Sequence, residues 1–113
     1  MERIAELARA QLSAYNAADL EGFVSCYHPS VEVREGEQLI CEGRAAFRER
    51  YRALFEGCEF GGEVPERVAA GGHCVDLELW WRVASDTGER SEGRLLVHYT
   101  LRDELIGSVR FLR

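Results

Sequence analysis

Gln11 is the residue whose position first suggests binding or chemistry. A helical apolar pattern runs over the opening residues, and Gln11 lies at the centre of its apolar arc rather than on the polar edge. Burying an amide costs free energy unless the amide is hydrogen-bonded. The partner of Gln11 is therefore either another core group or a ligand. The rest of the arc consists of Ile4, Leu7, Ala8, Leu12 and Tyr15.

The four tyrosines are the second group that combines an apolar body with a polar atom. Their rings favour packing in a core, where the hydroxyl can either reach outward or meet a ligand. Three of them, Tyr15, Tyr27 and Tyr51, fall on the apolar faces of predicted helices. We expect Tyr15 or Tyr51 to orient a ligand together with Gln11.

Cysteine and histidine give little support for metal or redox chemistry. The cysteines are far apart, form no Cys-x-x-Cys pair and have no histidine at ligand spacing. We expect reduced, mostly buried thiols, no metal site and no cofactor. His28 lies at a helix end, where it can interact with free carbonyls, and His98 alternates onto the outward face of a strand. The cysteines are Cys26, Cys41, Cys58 and Cys74.

Three predicted helices must position these groups. The first helical pattern stops at Asn16, Asp19 can cap a short second helix, and Pro29 forbids its continuation. Alternation typical of a strand begins at Val31, and a third helix opens at or just before Gly43. The apolar face of the third helix consists of Phe47, Tyr51, Leu54 and Cys58.

Strands account for the rest of the chain. A short pair is expected around Gly36, an irregular strand over 59–68, and a last strand over 105–112. Between them, strict alternation predicts two long strands, each with one buried face. The predicted inward side chains are Val75, Leu77, Leu79, Trp81 and Val83, followed by Leu95, Val97, Tyr99 and Leu101.

This order of elements predicts an α+β fold in one domain spanning residues 1–113. The expected shape is a cone: a curved, mostly antiparallel sheet with three helices packed on its concave face. Such a cone is either filled by side chains or holds a ligand.

The chain resembles the SnoaL-like branch of the nuclear transport factor 2-like superfamily. The stretch Tyr-Asn-Ala-Ala-Asp-Leu at residues 15–20 is similar to the junction that ends the first helix in that family. Glu42-Gly43-Arg44, leading into Phe47, Arg48, Tyr51, Leu54 and Phe55, is similar to its third helix. The resemblance covers essentially the whole sequence and implies the same cone. It leaves function open, because the fold hosts isomerases, cyclases, hydrolases and proteins without chemistry.

Glu35 is the catalytic candidate that the resemblance implies. It lies at the end of the first strand, where the ketosteroid isomerase branch would place its general base. Such a base needs an apolar pocket that raises its pKa, and the alternative is a solvated acidic face. The two enolate donors of that branch would fall at about Gln11 and Val97, so the oxyanion hole looks absent. The Asp-Arg-Asp cluster of the epoxide hydrolases of this fold is not matched either.

The predicted inward faces carry no formal charge, so we expect a small, uncharged or weakly polar ligand. A carboxylate or phosphate ligand should be rejected unless Glu35 or an arginine such as Arg48 turns inward. The chain would then be a small-molecule-binding protein of unassigned activity. One alternative is a ligand-free dimerisation or protein-interaction module, and another is an isomerase- or cyclase-like enzyme that uses Glu35 as general base. The expected ligand-binding residues are Gln11, Tyr15, Phe47, Tyr51, Phe55, Trp81, Val97 and Tyr99.

Charge and composition limit the partners. A net charge of −6 argues against nucleic-acid binding, and the absence of lysine excludes Schiff-base chemistry. No apolar run approaches the roughly 20 residues that span a bilayer, and the acidic opening does not resemble a signal peptide. We therefore expect a cytoplasmic protein without a membrane role. A homodimer through the outer sheet face is expected, with Trp80, Leu96 and His98 as its apolar centre.

Overall fold

Three helices form one layer of the structure, a computed structural model that describes residues 1–113. They are α1 (Arg3–Asn16), α2 (Leu20–Val24) and α3 (Arg44–Gly57). The predicted cap of α2 is confirmed, because the Asp19 carboxylate accepts a hydrogen bond from the Gly22 N–H at 3.0 Å. At the end of α1, the Asn16 amide exchanges two hydrogen bonds with the Gly62 backbone, of 2.8 and 2.9 Å. The end of α1 is thus fixed to the sheet.

Six strands form the second layer, in the spatial order β2-β1-β6-β5-β4-β3. Every neighbouring pair is antiparallel except β1 and β6, the first and last strands, which are parallel. The α+β class, the mostly antiparallel sheet and the three helices are confirmed. The strands are β1 (Tyr27–Glu35), β2 (Gln38–Glu42), β3 (Cys58–Ala70), β4 (His73–Ala84), β5 (Arg90–Arg102) and β6 (Leu105–Leu112).

The irregular strand expected over 59–68 is part of β3. Its register against β4 shifts between Glu63 and Glu66, the segment that contains Pro65. Proline cannot donate to a ladder, and β3 tolerates it because it lies at the edge of the sheet.

Aromatic side chains cluster between the helices and the sheet. Phe23 lies at the centre of this cluster, stacked on Phe47 with ring centroids 5.6 Å apart and tilted against Tyr51 at 4.8 Å. Tyr15 packs on Phe60 at 4.5 Å. Aromatic pairs of this kind contribute beyond simple area burial, so α1, α2 and α3 are held on the sheet largely by rings.

The face assignment on β4 was wrong, although the alternation itself is correct. Asp76 is only 1% exposed, and Glu78 and Trp80 face the helices, whereas Trp81 lies on the outer face beneath Arg90. Asp76 tolerates burial because Arg67 on β3 donates two hydrogen bonds to its carboxylate, of 2.7 and 2.9 Å. The face of β4 that the helices cover is therefore not its more apolar face, and hydrophobic alternation assigned it wrongly.

The inward assignment on β5 was correct. Leu95, Val97 and Tyr99 are buried against the helices, and Leu96 points to the outer face.

The cysteines are free thiols, two of them buried and two half-buried. Burial, reinforced by the nearby charge of Asp76, raises the pKa of the Cys74 thiol to about 12. No three histidine, cysteine, aspartate or glutamate side chains come together as a metal site would require. None of the helices is long and apolar enough to cross a membrane.

Candidate functional site

A cavity of about 340 Å³ opens between α1, α3 and the concave face of the sheet. Ten of its fifteen lining residues are hydrophobic, and four of these ten are tyrosines that also carry a hydroxyl. Gly93 on β5 shapes this wall indirectly, since a side chain there would come within 2.9 Å of the Trp80 ring. The apolar and aromatic part of the wall includes Phe23, Leu54, Trp80, Leu95, Val109 and Phe111.

The floor of the cavity is a hydrogen-bond network around Gln11, which is 5% exposed. The Tyr27 hydroxyl donates to Gln11 Oε1 at 2.9 Å, and Gln11 Nε2 donates to the Tyr99 hydroxyl at 3.1 Å and to the Ala8 carbonyl at 3.0 Å. The buried glutamine therefore has core partners. The Tyr99 hydroxyl, however, only accepts within the protein, so its own proton has no protein acceptor.

All four tyrosines line the cavity, and their hydroxyls stay protonated. Burial is the main cause in each case, and it raises the pKa of Tyr27, Tyr51 and Tyr99 well above that of a free tyrosine. The pKa of Tyr15 is raised as well, with Arg82 opposing the effect of burial. These groups are neutral hydrogen-bond donors at neutral pH.

Glu78 on β4 presents a carboxylate to the same cavity and makes no hydrogen bond or ion pair with the protein. Burial and the charge of Asp76 raise its pKa, while Arg82 and Arg113 act in the opposite direction. Its charge also contributes to the raised pKa of each of the four tyrosines. Glu78 and the four tyrosines therefore share one cavity and influence one another electrostatically.

Three exposed arginines line the mouth of the cavity, namely Arg50, Arg82 and Arg113. Arg113 donates to Glu35, and the Arg82 guanidinium lies over the Trp80 ring, 5.3 Å from its centroid. The expectation of an uncharged inner surface was therefore wrong. The charged side chains come from β4, α3 and the residue after β6. Hydrophobic periodicity did not predict that these positions would line the cavity.

The residues expected to bind a ligand fall into three groups. Gln11, Tyr15, Tyr51 and Tyr99 line the cavity. Phe47, Phe55 and Val97 pack in the core around it, and Trp81 lies outside. Glu35 is not among the lining residues, and both of its carboxylate oxygens are bound by Arg113, which does line the cavity.

Sequence reasoning missed Glu78, Trp80 and Arg82 because β4 carries a tryptophan on each face, at 80 and 81. Alternation cannot decide which of two such faces is covered. The sequence did contain one indication of the correct face. Asp76, Glu78 and Arg82 share one face of β4, and Arg67 on the adjacent strand can pair with Asp76.

The fold matches solved structures along its entire length. A cystatin fold protein from Novosphingobium aromaticivorans is 22% identical, with a TM-score of 0.90 and 100% and 99% of the two chains covered. A Δ5-3-ketosteroid isomerase from a Mycobacterium species is 14% identical, with a TM-score of 0.89 and 100% and 94% covered. A Mycobacterium tuberculosis protein in complex with estradiol-17β-hemisuccinate is 15% identical, with a TM-score of 0.87 and 98% and 93% covered. At these identities the likeness shows the fold alone.

Sequence comparison is more specific about the family than about the activity. No curated protein matches the chain significantly. The model of the SnoaL-like domain matches residues 8–109, which include the floor of the cavity, Glu78 and the arginines on α3 and β4. The chain belongs to the SnoaL-like domain family.

Proposed function

We propose that the chain binds a small organic molecule in this cavity. The apolar body of the ligand lies against the aromatic wall, and one neutral oxygen accepts a hydrogen bond from Tyr99. The observation that carries the proposal is a cavity of about 340 Å³ whose floor ends in a hydroxyl proton without a protein acceptor.

The size of the cavity favours ligand binding over an interaction module with a filled cone. Ligand sites usually measure about 300–1,000 Å³, and this cavity falls within that range. The mycobacterial neighbour with bound estradiol-17β-hemisuccinate gives further support, because a protein with this fold accommodates an organic molecule.

Tyr99→Phe tests the proposed hydrogen bond. Calorimetric titration with neutral aromatic ketones should show binding to the wild type and several-fold weaker binding to the variant, the equivalent of about 1 kcal/mol. Trp81→Phe, on the outer face, is the control and should bind like the wild type. Equal affinity of Tyr99→Phe and wild type would contradict the assigned oxygen site, and a protein that binds none of the ketones would contradict the proposal.

Glu78 supports a second candidate function, an enzyme that moves a proton on the ligand. Its carboxylate has a raised pKa and no protein partner, which suits a general base. In such a reaction Glu78 removes a proton from the carbon next to a ligand carbonyl. The resulting enolate oxygen accepts from Tyr99, and Glu78 returns the proton to carbon. Glu35 does not suit this role, because Arg113 binds both of its oxygens.

Deuterium exchange next to the carbonyl of a bound ketone, followed by NMR, tests this second candidate. Glu78→Gln should abolish the protein-dependent exchange, whereas Glu35→Gln should retain it. Exchange that survives in Glu78→Gln, or that is lost in Glu35→Gln, would point to Glu35 as the base.

We also propose a homodimer through the outer sheet face, with a revised centre. Trp80 cannot contribute, since it lines the cavity, whereas Trp81, Leu96 and His98 do lie on the outer face. Leu96 is 43% exposed, and Leu77 lies opposite it on β4. An exposed apolar area with charged surroundings favours a contact between copies.

A further inference from the structure

The distribution of arginines suggests what kind of ligand the cavity takes. The chain has a net charge of −6, and most of its arginines pair with a carboxylate. At the mouth, Arg113 is neutralised by Glu35 in this way. Arg50 and Arg82 form no ion pair with the protein, and both line the cavity. In an acidic protein, two unpaired cations at one opening indicate an attraction for negative charge.

Arg50 and Arg82 come from different elements, α3 and β4, and act on the same hydroxyl. Burial raises the pKa of Tyr51, and the charges of Arg50 and Arg82 both oppose that rise. Both side chains also line the same cavity of about 340 Å³, so a ligand group at its mouth is within reach of both. Arg82 is further held by its position over the Trp80 ring, where an arginine can stack without losing its donors.

We propose that the ligand carries a carboxylate, and that Arg50 and Arg82 bind this group at the mouth while the apolar body occupies the cavity. The inference rests on the proposed function, because it assigns one end of the molecule that binds there. The ligand is then an acid with an apolar middle and a neutral oxygen at the far end, next to Tyr99.

A single negative charge fits this site better than a double one. Two unpaired arginines face the cavity together with one unpaired carboxylate, that of Glu78. A monoanion leaves the cavity neutral, whereas a dianion such as a phosphate monoester would meet the charge of Glu78. The planar carboxylate also matches the fork of guanidinium donors.

The exposed position of the arginines keeps the cost of binding an anion low. Both side chains remain in contact with water at the mouth, so neither the arginines nor the bound carboxylate need lose their hydration completely. A carboxylate placed deep among the aromatic rings would instead lose its hydration without compensation. The geometry therefore fixes the orientation of the ligand, with the acid outward and the apolar part inward.

The test uses three probes with one skeleton: 3-(2-naphthyl)propionic acid, its primary amide and the corresponding amine. Calorimetric titration of the wild type should give an affinity for the acid about tenfold higher than for the amide. Arg50→Gln and Arg82→Gln should each weaken binding of the acid roughly fivefold and leave binding of the amide unchanged. Arg9→Gln, which removes an arginine remote from the cavity, is the matched control and should bind all three probes like the wild type.

Salt gives a second readout that a structural role of the arginines would not produce. Raising the salt concentration should weaken binding of the acid and not binding of the amide. The double variant Arg50→Gln/Arg82→Gln should lose both the preference for the acid and the salt dependence of acid binding. Thermal melting of each variant shows that it is folded.

The outcomes separate the inference from the proposed function. If acid and amide bind equally well, and neither arginine variant changes their affinity, the inference that the ligand carries a carboxylate is wrong. The cavity would then be a binding site for neutral ligands. If the amine binds best, the inference is also wrong, and the ligand is instead a cation that pairs with Glu78. Failure of all three probes to bind the wild type would count against the proposed function itself.

Discussion

The guanidinium of Arg113 holds the carboxylate of Glu35 at two points, with Nε 3.0 Å from Oε1 and Nη2 3.2 Å from Oε2. Glu35 ends β1, and Arg113 follows β6, the parallel neighbour of β1. The pair thus depends on the contact between the first and last strands. It neutralises one arginine of the mouth, whereas Arg50 and Arg82 have no carboxylate partner.

Glu35→Gln should strengthen the binding of an organic acid, because it frees Arg113 as a third cation at the mouth. We expect a gain of up to about fivefold for the acid and no change for its amide, measured by calorimetric titration. Glu37→Gln breaks a similar pair with Arg110 away from the cavity and should change neither. Unchanged affinity for the acid in Glu35→Gln would mean that Arg113 does not act on the ligand.

Gln11→Leu should destabilise the folded protein, because it deprives the buried hydroxyls of Tyr27 and Tyr99 of their partner. The expected loss in the free energy of unfolding is about 2 kcal/mol, measured by urea denaturation. Gln38→Leu makes the same exchange at an exposed position and should cost much less. A stability equal to that of the wild type would show that water replaces the amide at the floor.

Glu78→Gln should change stability in a pH-dependent way. The folded protein raises the pKa of Glu78, so folding favours its protonated form. Stability therefore falls as the pH rises from the unfolded-state pKa to the raised folded-state pKa, and the full cost of the charge is present above it. The variant should therefore melt at a higher temperature than the wild type at pH 7, and the difference should vanish below the ordinary pKa of glutamate, about 4.3. The groups that face Glu78 are Asp76 and Arg82 on its own strand, Arg113, and the hydroxyls of Tyr15, Tyr27, Tyr51 and Tyr99.

Glu66→Gln is the control for this measurement, since Glu66 is exposed. It should shift the melting temperature little at either pH. A difference between Glu78→Gln and wild type that stays constant from pH 4 to pH 7 would contradict the role of the Glu78 charge.

Leu96→Glu should convert a homodimer into a monomer, because it places a charge at the centre of the proposed contact. Sedimentation velocity at tens of micromolar, roughly the range in which ordinary dimers persist, measures the change. Ala10→Glu introduces the same charge on the exposed side of α1, in the helix layer, and should leave assembly unchanged. A wild type that is already monomeric under these conditions would disprove the dimer.

The sequence predicted the elements well because each depends on nearby residues. The cap at Asp19 and the burial of Gln11 follow from spacing within one helix or one turn. The faces of β4 depend instead on distant partners. Asp76 is neutralised by Arg67 from another strand, and only the closed sheet brings Glu78 near four tyrosines from four different elements. Half of the candidate site was therefore predictable, and the charged half was not.

Gly93 gives the cavity an adjustable size. The Trp80 ring lies where a side chain at residue 93 would otherwise be, and a methyl group there would meet the ring at 2.9 Å. A larger residue at position 93 would force the indole, which is part of the cavity wall, to move. If the cavity binds a ligand as proposed, a single codon on β5 is a position at which protein engineers could change the cavity's shape without replacing a residue that lines it.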